Sequence, residues 1–346
     1  MKVRLNEAIE DYRRFRISQG MAAQTLKNDK QTLIAFLTHV GNIYVENIED
    51  YHVTRFLESR TKTRGNGSLA IDQQVIRGFC KWAAHTKRAP KTFDPTQGLR
   101  APKRQERERD RIHVSKFPYL LDVAGRRSPR DRMFIAMGLY TMARDSEITT
   151  VRIRDVDLDS GHVLLRIHKA KKEDWFPISS ELDAELRRWL TFYSSQVGEL
   201  LPDYYLTPAR SLIIQPGVSP SNRDTKLQPT RRITHSGPLI VKPALHAIGF
   251  TTEADDLHGE GAHTLRRSGA RALFDALKGQ GYDHAMRLVQ AALHHKSIST
   301  TEHYIGLTAD RKERDKVLLG QSMFGLPELP TIGVADGGSA GLSEVV

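Results

Sequence analysis

DVDLDSGHVLLRIHKAKKEDWFPI, residues 155–178, breaks the helical rhythm of the chain on either side of it. The run VLLRI (163–167) is β-branched and apolar, and it is bounded by two turn signals, LDSG (158–161) and KAKKE (169–173). A short apolar run between turn residues predicts a strand, and three such pieces in succession predict an antiparallel meander with VLLRI at its centre. Ahead of it, apolar residues recur at helical spacing near 115–124 and 129–143. Behind it helices are predicted at about 180–192, 264–278, 283–292 and 300–305, with another near 309–319. Between Leu201 and Gly261 prolines at 202, 208, 216, 219, 229, 238 and 243 interrupt any period, and only Val241 to Ile248 reads as helix. The fold class predicted is mainly α with a small antiparallel β-sheet.

The first hundred residues read as four helices. Leu5, Ile9 and Tyr12 share one face of the first, and Leu26, Leu33, Phe36, Leu37 and Val40 stripe the second. The third runs from about Ile48 to Ser59 and stops before RGNG (64–67), after which Ile71, Val75, Phe79 and Trp82 mark the fourth. Residues 1–95 are therefore expected to form a small helical domain, 96–111 a basic linker, 112–324 an α+β domain, and 325–346 a disordered tail. The linker holds five basic and three acidic residues between Lys103 and Arg111, so Lys103 and Arg104 are candidates to lie along a polyanion backbone. On the second helix Lys27, Asn28, Lys30 and Gln31 occupy polar positions where donors could meet phosphates or base edges.

A chain of 346 residues exceeds what one core usually holds, which favours two domains. Its net charge of +11 favours a polyanionic partner without specifying any sequence. The tail opposes that balance, with Glu328, Asp336 and Glu344 and no lysine or arginine. Cys80 is the single cysteine, so no internal disulfide can form, and its neighbours Phe79 and Trp82 place it as a buried structural thiol. The start MKVRLNEAIEDY lacks the apolar run of an export signal, and no stretch approaches the length of apolar sequence a bilayer requires. A cytoplasmic protein with no membrane role is expected. No repeat and no metal-ligand spacing is found, so no metal or other cofactor is expected.

Four segments carry chemistry: TMARDSEI (141–148), HKAKKEDWFPI (168–178), HTLRRSGA (263–270) and ALHHKSISTTEHY (292–304). Breaking a phosphodiester concentrates charge on its non-bridging oxygens, and guanidinium matches that charge with a permanently cationic planar fork. Arg144 stands where an apolar helix should end, and Arg266 sits one turn after His263 on the same helical face. Tyr304 offers a phenol that can store a broken bond as a phosphoester. Its ordinary pKa of about 10 means that it needs a proton acceptor, for which His263 is the candidate. Ser299 and Glu302 have capping-box spacing, which would start a short helix just ahead of Tyr304. Lys169, Lys171 and Lys172 compete as the donor of a proton to a leaving oxygen from a hairpin turn. His295 is a further phosphate donor. Each of these residues alone has a bland explanation, an arginine at a helix end or a solvated turn lysine.

Together the four segments resemble the tyrosine recombinase, or phage integrase, family over essentially the whole chain to about residue 320. The resemblance implies a helical core-binding domain followed by the tyrosine recombinase catalytic domain. It selects Lys169 among the turn lysines. It implies that Arg144, Lys169, His263, Arg266 and His295 assemble around a scissile phosphate while Tyr304 attacks, leaving a 3′-phosphotyrosine and a free 5′ hydroxyl. Glu147, an acid three residues after Arg144, would orient its neighbours. No metal or ATP is implied, because one phosphoester replaces another. The implied partners are double-stranded DNA carrying core-type sites, and three further copies of the chain in a homotetramer on two duplexes, each copy a monomer when free. The terminal segment Thr308 to Leu319 would dock on a neighbouring copy, and an accessory factor would set direction, in a bacterial host cytoplasm. Three departures stand out: Arg267 replaces a histidine, His294 replaces a glycine, and Met142 and Ala143 replace a glycine-containing pair. The first bundle helix begins within a few residues of the start, so a simple two-domain recombinase of phage-integrase type is expected, without an extra amino-terminal module. A type IB topoisomerase-like relaxing enzyme and a DNA-binding regulator with a dead active site are the alternatives.

Overall fold

The computed structural model describes residues 2–102, 109–167, 172–212, 225–250 and 261–307. The chain divides into two compact units, 1–107 and 108–346. The first contains four helices: α1 (Leu5–Ser18), α2 (Ala23–Val40), α3 (Asp50–Thr61) and α4 (Asn66–His85). Their apolar stripes meet in one core. Phe36 and Phe56 pack edge to face at 5.3 Å, and Tyr12 meets Phe79 in the same manner at 5.6 Å. Cys80 is fully buried within this core, and burial pushes its thiol pKa up, as an inert structural cysteine requires. The carboxylate of Asp72 is buried as well. It is neutralised by Arg60 (2.8 Å) and Arg64 (3.2 Å) and accepts from the Thr32 hydroxyl (2.7 Å), so one α4 side chain ties α3 and α2 together.

The segment after α4 is held on the bundle rather than hanging free. Gln73 Nε2 and Arg77 Nη2 both donate to the Leu99 carbonyl, at 3.0 and 2.8 Å, and Thr96 is buried. Backbone carbonyls at the start of the expected linker thus satisfy two long polar side chains of α4. Lys103 and Arg104 lie outside the described residues, as does Thr308 to Leu319.

In the second unit α5 (Phe117–Arg127) and α6 (Pro129–Tyr140) form an antiparallel pair opening on a Ser128–Pro129 corner. Met133 to Leu139 is buried at every position, so α6 is a central helix with no solvent face. On one side it meets α8 (Ser180–Val197), where Arg132 makes two 2.6 Å bonds to Glu185. On another it is crossed by α10 (Ala262–Leu277). At that crossing Gly269 lies against the backbone carbonyl of Leu139, leaving no room for a Cβ. The chain continues into α11 (Tyr282–Ala292) and α12 (Ile298–Ile305).

The meander is present as β1 (Val156–Asp157), β2 (His162–Ile167) and β3 (Lys172–Pro177) in the order β1-β2-β3, all antiparallel. Val163, Leu165 and Ile167 point into the core, opposite Phe176, Asp174 and Lys172. A second sheet, β4 (Pro208–Leu212) with β5 (Thr225–Arg232), was not foreseen in the proline-rich region. Its strands carry little apolar alternation, and its register shifts beside Pro208, so neither periodicity nor composition marked it. A π-helical turn, Gly237–Val241, leads into α9 (Lys242–Ala247). The expected capping box also differs. α12 starts at Ile298 with Ser297 as its N-cap, which places Ser299 inside the helix.

Because the obstacle at Gly269 is backbone, it cannot rotate away. Gly269→Ala should destabilise the second unit by about 3 kcal/mol in urea unfolding; a change under about 0.5 kcal/mol would mean that the two helices can separate freely.

Candidate active site

Arg266 emerges from the second turn of α10 and is the largest fully buried side chain of the chain's described core. A buried guanidinium needs its donors satisfied and its charge offset. Nη1 donates to the carbonyl of Met142, and Nη2 donates to the carbonyl of Leu293 at 2.6 Å. Nη1 also stands 3.8 Å from Glu147 Oε2. Burial pushes the Arg266 pKa down to about 10, which still leaves it charged at neutral pH.

Glu147 joins the second arginine to this group. Arg144 is the N-cap of the short helix α7 (Asp145–Ile148), and Glu147 is its third residue. The Arg144 backbone N–H donates to Glu147 Oε2 at 2.7 Å, and Nη1 donates to Oε1 at 2.8 Å. One carboxylate, 1 % exposed, thus sits between two guanidinium groups, and the cluster keeps a net positive charge. The following turn is held from outside by Arg232 of β5, which donates to Thr149 Oγ1 at 2.7 Å, and by Ser236, which bonds Asp145.

Tyr304 lies in the second turn of α12, with its ring packed against the core. Its hydroxyl is 3.5 Å from His263 Nδ1 and 3.4 Å from the His263 carbonyl. Burial raises the phenol pKa, partly opposed by Arg266, Arg267 and Arg144. His263 keeps a solvent-facing edge, yet crowding of its ring lowers its pKa, and Arg266, Arg267, Arg144 and Arg109 lower it further. A protonated phenol therefore faces a neutral imidazole, which is the arrangement a proton transfer from oxygen to nitrogen starts from. His295 meets the Tyr304 ring edge to face at 5.3 Å, and its Nδ1 is 3.2 Å from Thr301 Oγ1. Gln290 Nε2 donates to the His295 carbonyl at 3.0 Å.

Six of the expected residues, Arg144, Glu147, His263, Arg266, His295 and Tyr304, are brought into this one cluster. Lys169 and its rival Lys171 lie outside the described residues, while Lys172 is exposed at the start of β3. Lys27, Lys30 and Gln31 are exposed on α2 in the other unit, and Asn28 accepts from Gln24 at 3.0 Å. Arg267 turns toward the entering chain, with Nη2 3.2 Å from the Asp110 carbonyl and 3.3 Å from Thr264 Oγ1. Next to it, Ser268 Oγ accepts the Ile112 N–H at 2.9 Å.

Two residues the sequence reading treated as departures prove to shape the cluster. Met142 and His294 have φ of 53° and 51°, in the left-handed region that glycine enters freely. Met142 supplies one carbonyl to Arg266, and His294 directly follows Leu293, which supplies the other. Thr301, the partner of His295, was also missed. Among the described residues no group of three or more His, Cys, Asp or Glu is placed to hold a metal, and no helix is long and apolar enough to cross a membrane.

Residues 111–311, more than half of the chain, match the model of the phage integrase family. The tyrosine recombinase XerA of Thermococcus kodakarensis is 25% identical over 323 residues, spanning 92% of this chain and 98% of that protein. XerD of Oceanobacillus iheyensis is 27% identical over 319 residues, spanning 89% and 96%. In fold the chain is similar to a lambda integrase dimer bound to a COC' core site, with a TM-score of 0.66 at 16% identity, covering 88% of this chain and 77% of that one. It is likewise similar to a lambda integrase tetramer bound to a Holliday junction, with a TM-score of 0.65 at 16% identity, covering 85% and 78%.

Removing the Glu147 carboxylate would strand the buried Arg266 cation. Glu147→Ala should lower unfolding free energy by about 3 kcal/mol; chemical denaturation showing a loss below about 1 kcal/mol would mean that other groups compensate Arg266.

Proposed function

Because this chain belongs to the phage integrase family and is a tyrosine recombinase, we propose that Tyr304 is the nucleophile by which it exchanges DNA strands at a defined core-type site. The observation that carries this reading is the contact between the Tyr304 hydroxyl and His263 Nδ1 beside two linked arginines. In the first step Tyr304 Oη bonds to phosphorus and its proton passes to His263. Arg144, Arg266 and His295 donate to the non-bridging oxygens as charge builds there. The bond from phosphorus to the 5′ oxygen breaks, and Lys169 supplies that oxygen with a proton. A 5′ hydroxyl from the partner duplex then attacks the 3′-phosphotyrosine and releases Tyr304. One phosphoester replaces another in each step, so the exchange is close to isoenergetic, and DNA topology and protein assembly set its direction.

The assembly we assign is four copies on two duplexes, with an accessory factor biasing direction in a bacterial cytoplasm. Lys27, Asn28, Lys30, Gln31, Lys103 and Arg104 are assigned to DNA contacts outside the chemistry. The biological task we assign is integration of phage type. Xer-type exchange is the second reading, favoured by the match to XerA and XerD along nearly their whole length. Exchange between a site flanking the gene and an unrelated duplex supports integration, whereas exchange only between two copies of one flanking site supports the second reading.

The decisive experiment incubates the full chain with a pool of nicked suicide duplexes of randomised core sequence, then recovers and sequences those captured covalently. Tyr304→Phe should capture none; capture at the wild-type level by that variant would sink the mechanism. With a captured duplex in hand, Arg144→Ala should slow cleavage on the order of 10²-fold while binding stays nearly unchanged, and a parallel loss of both would remove Arg144 from the chemistry. The pH dependence follows from the depressed His263 pKa. The neutral base exists above that value, so adduct formation should fall on acidification only below the ordinary imidazole range. An acid limb at or above that range would exclude His263 as the acceptor.

A further inference from the structure

His294 adopts φ of 51° in the turn between α11 and α12, a conformation that glycine takes at no steric cost and histidine does not. The imidazole makes a contact that no glycine could. Its Nε2 lies 3.4 Å from Asp174 Oδ2 on β3. Asp174 pairs with Leu165 in the antiparallel register, so its side chain leaves the sheet on the same face as Leu165 and Phe176, both buried. The Asp174 carboxylate is still 40 % exposed, and the His294 imidazole, 23 % exposed, stands directly against it. On the other side of the turn, the Leu293 carbonyl accepts from Arg266 Nη2, and His295 meets Tyr304. The groups that act electrostatically on His294 are Asp174 of β3, Glu147 of α7, Arg266 of α10 and Arg144 ahead of α7. The turn thus touches the β2–β3 hairpin through one residue and the phosphate-binding cluster through its two neighbours.

We propose that His294 is a positioning residue, whose contact with Asp174 brackets the β2–β3 hairpin against the turn that seats Arg266 and His295. The inference rests on the functional reading above, in which the segment joining β2 to β3 carries Lys169, the donor to the leaving oxygen. That lysine and the cations on the phosphate belong to elements far apart in sequence. The contact reaches β3, the strand into which that segment leads. The bracket acts on the geometry of the chemical step, since neither His294 nor Asp174 is assigned to DNA affinity.

The test compares wild type, His294→Gly, Asp174→Ala and the double variant, using the full chain and a duplex captured from the randomised pool. Glycine relieves the left-handed strain, so His294→Gly should be as heat-stable as wild type or more so. Its single-turnover cleavage should nonetheless fall about tenfold, with duplex affinity within twofold. Asp174→Ala should show the same loss, and the double variant should be no slower than either single one. Wild-type cleavage by His294→Gly, or losses that multiply in the double variant, would overturn the proposal. A loss of affinity equal to the loss of rate would overturn it too. Hydrogen exchange on the DNA-free chain reads the bracket independently of activity. Amides of 172–177 should exchange faster in His294→Gly, and unchanged exchange would overturn the bracket. Should wild type itself capture no duplex, the functional reading falls, while the exchange measurement still decides whether the bracket exists.

Discussion

A guanidinium with almost no access to solvent is the constraint around which the second unit is arranged. Arg266 must have its N–H groups accepted and its charge balanced, and the structure meets both needs with atoms from distant parts of the chain. The turn after α6 gives one carbonyl and the turn after α11 gives another, while α7 offers the carboxylate of Glu147. Each of these turns also carries a residue of the cluster, Arg144 in one case and His295 in the other. Seating the buried cation therefore seats its neighbours, and the cost of burying charge is offset by contacts that hold the site in shape before DNA arrives.

Two non-glycine residues in left-handed backbone, Met142 and His294, flank the carbonyls that Arg266 uses. Strain at such positions persists only where the surroundings over-determine it. Here the surroundings are the same buried arginine and, for His294, the carboxylate of Asp174. Tyr304, the proposed nucleophile, is arranged differently. Tyr304 sits on a two-turn helix that ends at Gly306 in a left-handed C-cap, packed so closely on Arg111 that a Cβ would collide with it. Arg266 is fixed by burial, and the phenol is carried by a short helix packed on α10 and α11 through the buried Thr301 and Ile305.

The helices were legible because apolar residues such as Leu33, Phe36, Phe79 and Phe134 recur at helical spacing and do enter the cores. The meander was legible because LDSG and the change of period mark it. The β4–β5 pair was not, since its residues are largely half-exposed or exposed and its prolines read as breakers. Ser299 has the spacing of a cap, but the helix extends two residues further back, to an N-cap at Ser297. The side chains of the site could be found by type and order, whereas their supports at Met142 and Leu293 are backbone carbonyls, which carry no residue identity. The only trace of them in the sequence was the presence of larger residues where glycine is usual. Lys169 was singled out among the turn lysines by the family resemblance and lies outside the described residues.

Chain entering the second unit is clipped to α10 at adjacent side chains, with the Asp110 carbonyl on Arg267 and the Ile112 amide on Ser268. The same helix turn bears Arg266. The stretch at 110–112 is consequently a staple across the amino-terminal turns of α10, the helix on which His263 and Arg266 are mounted.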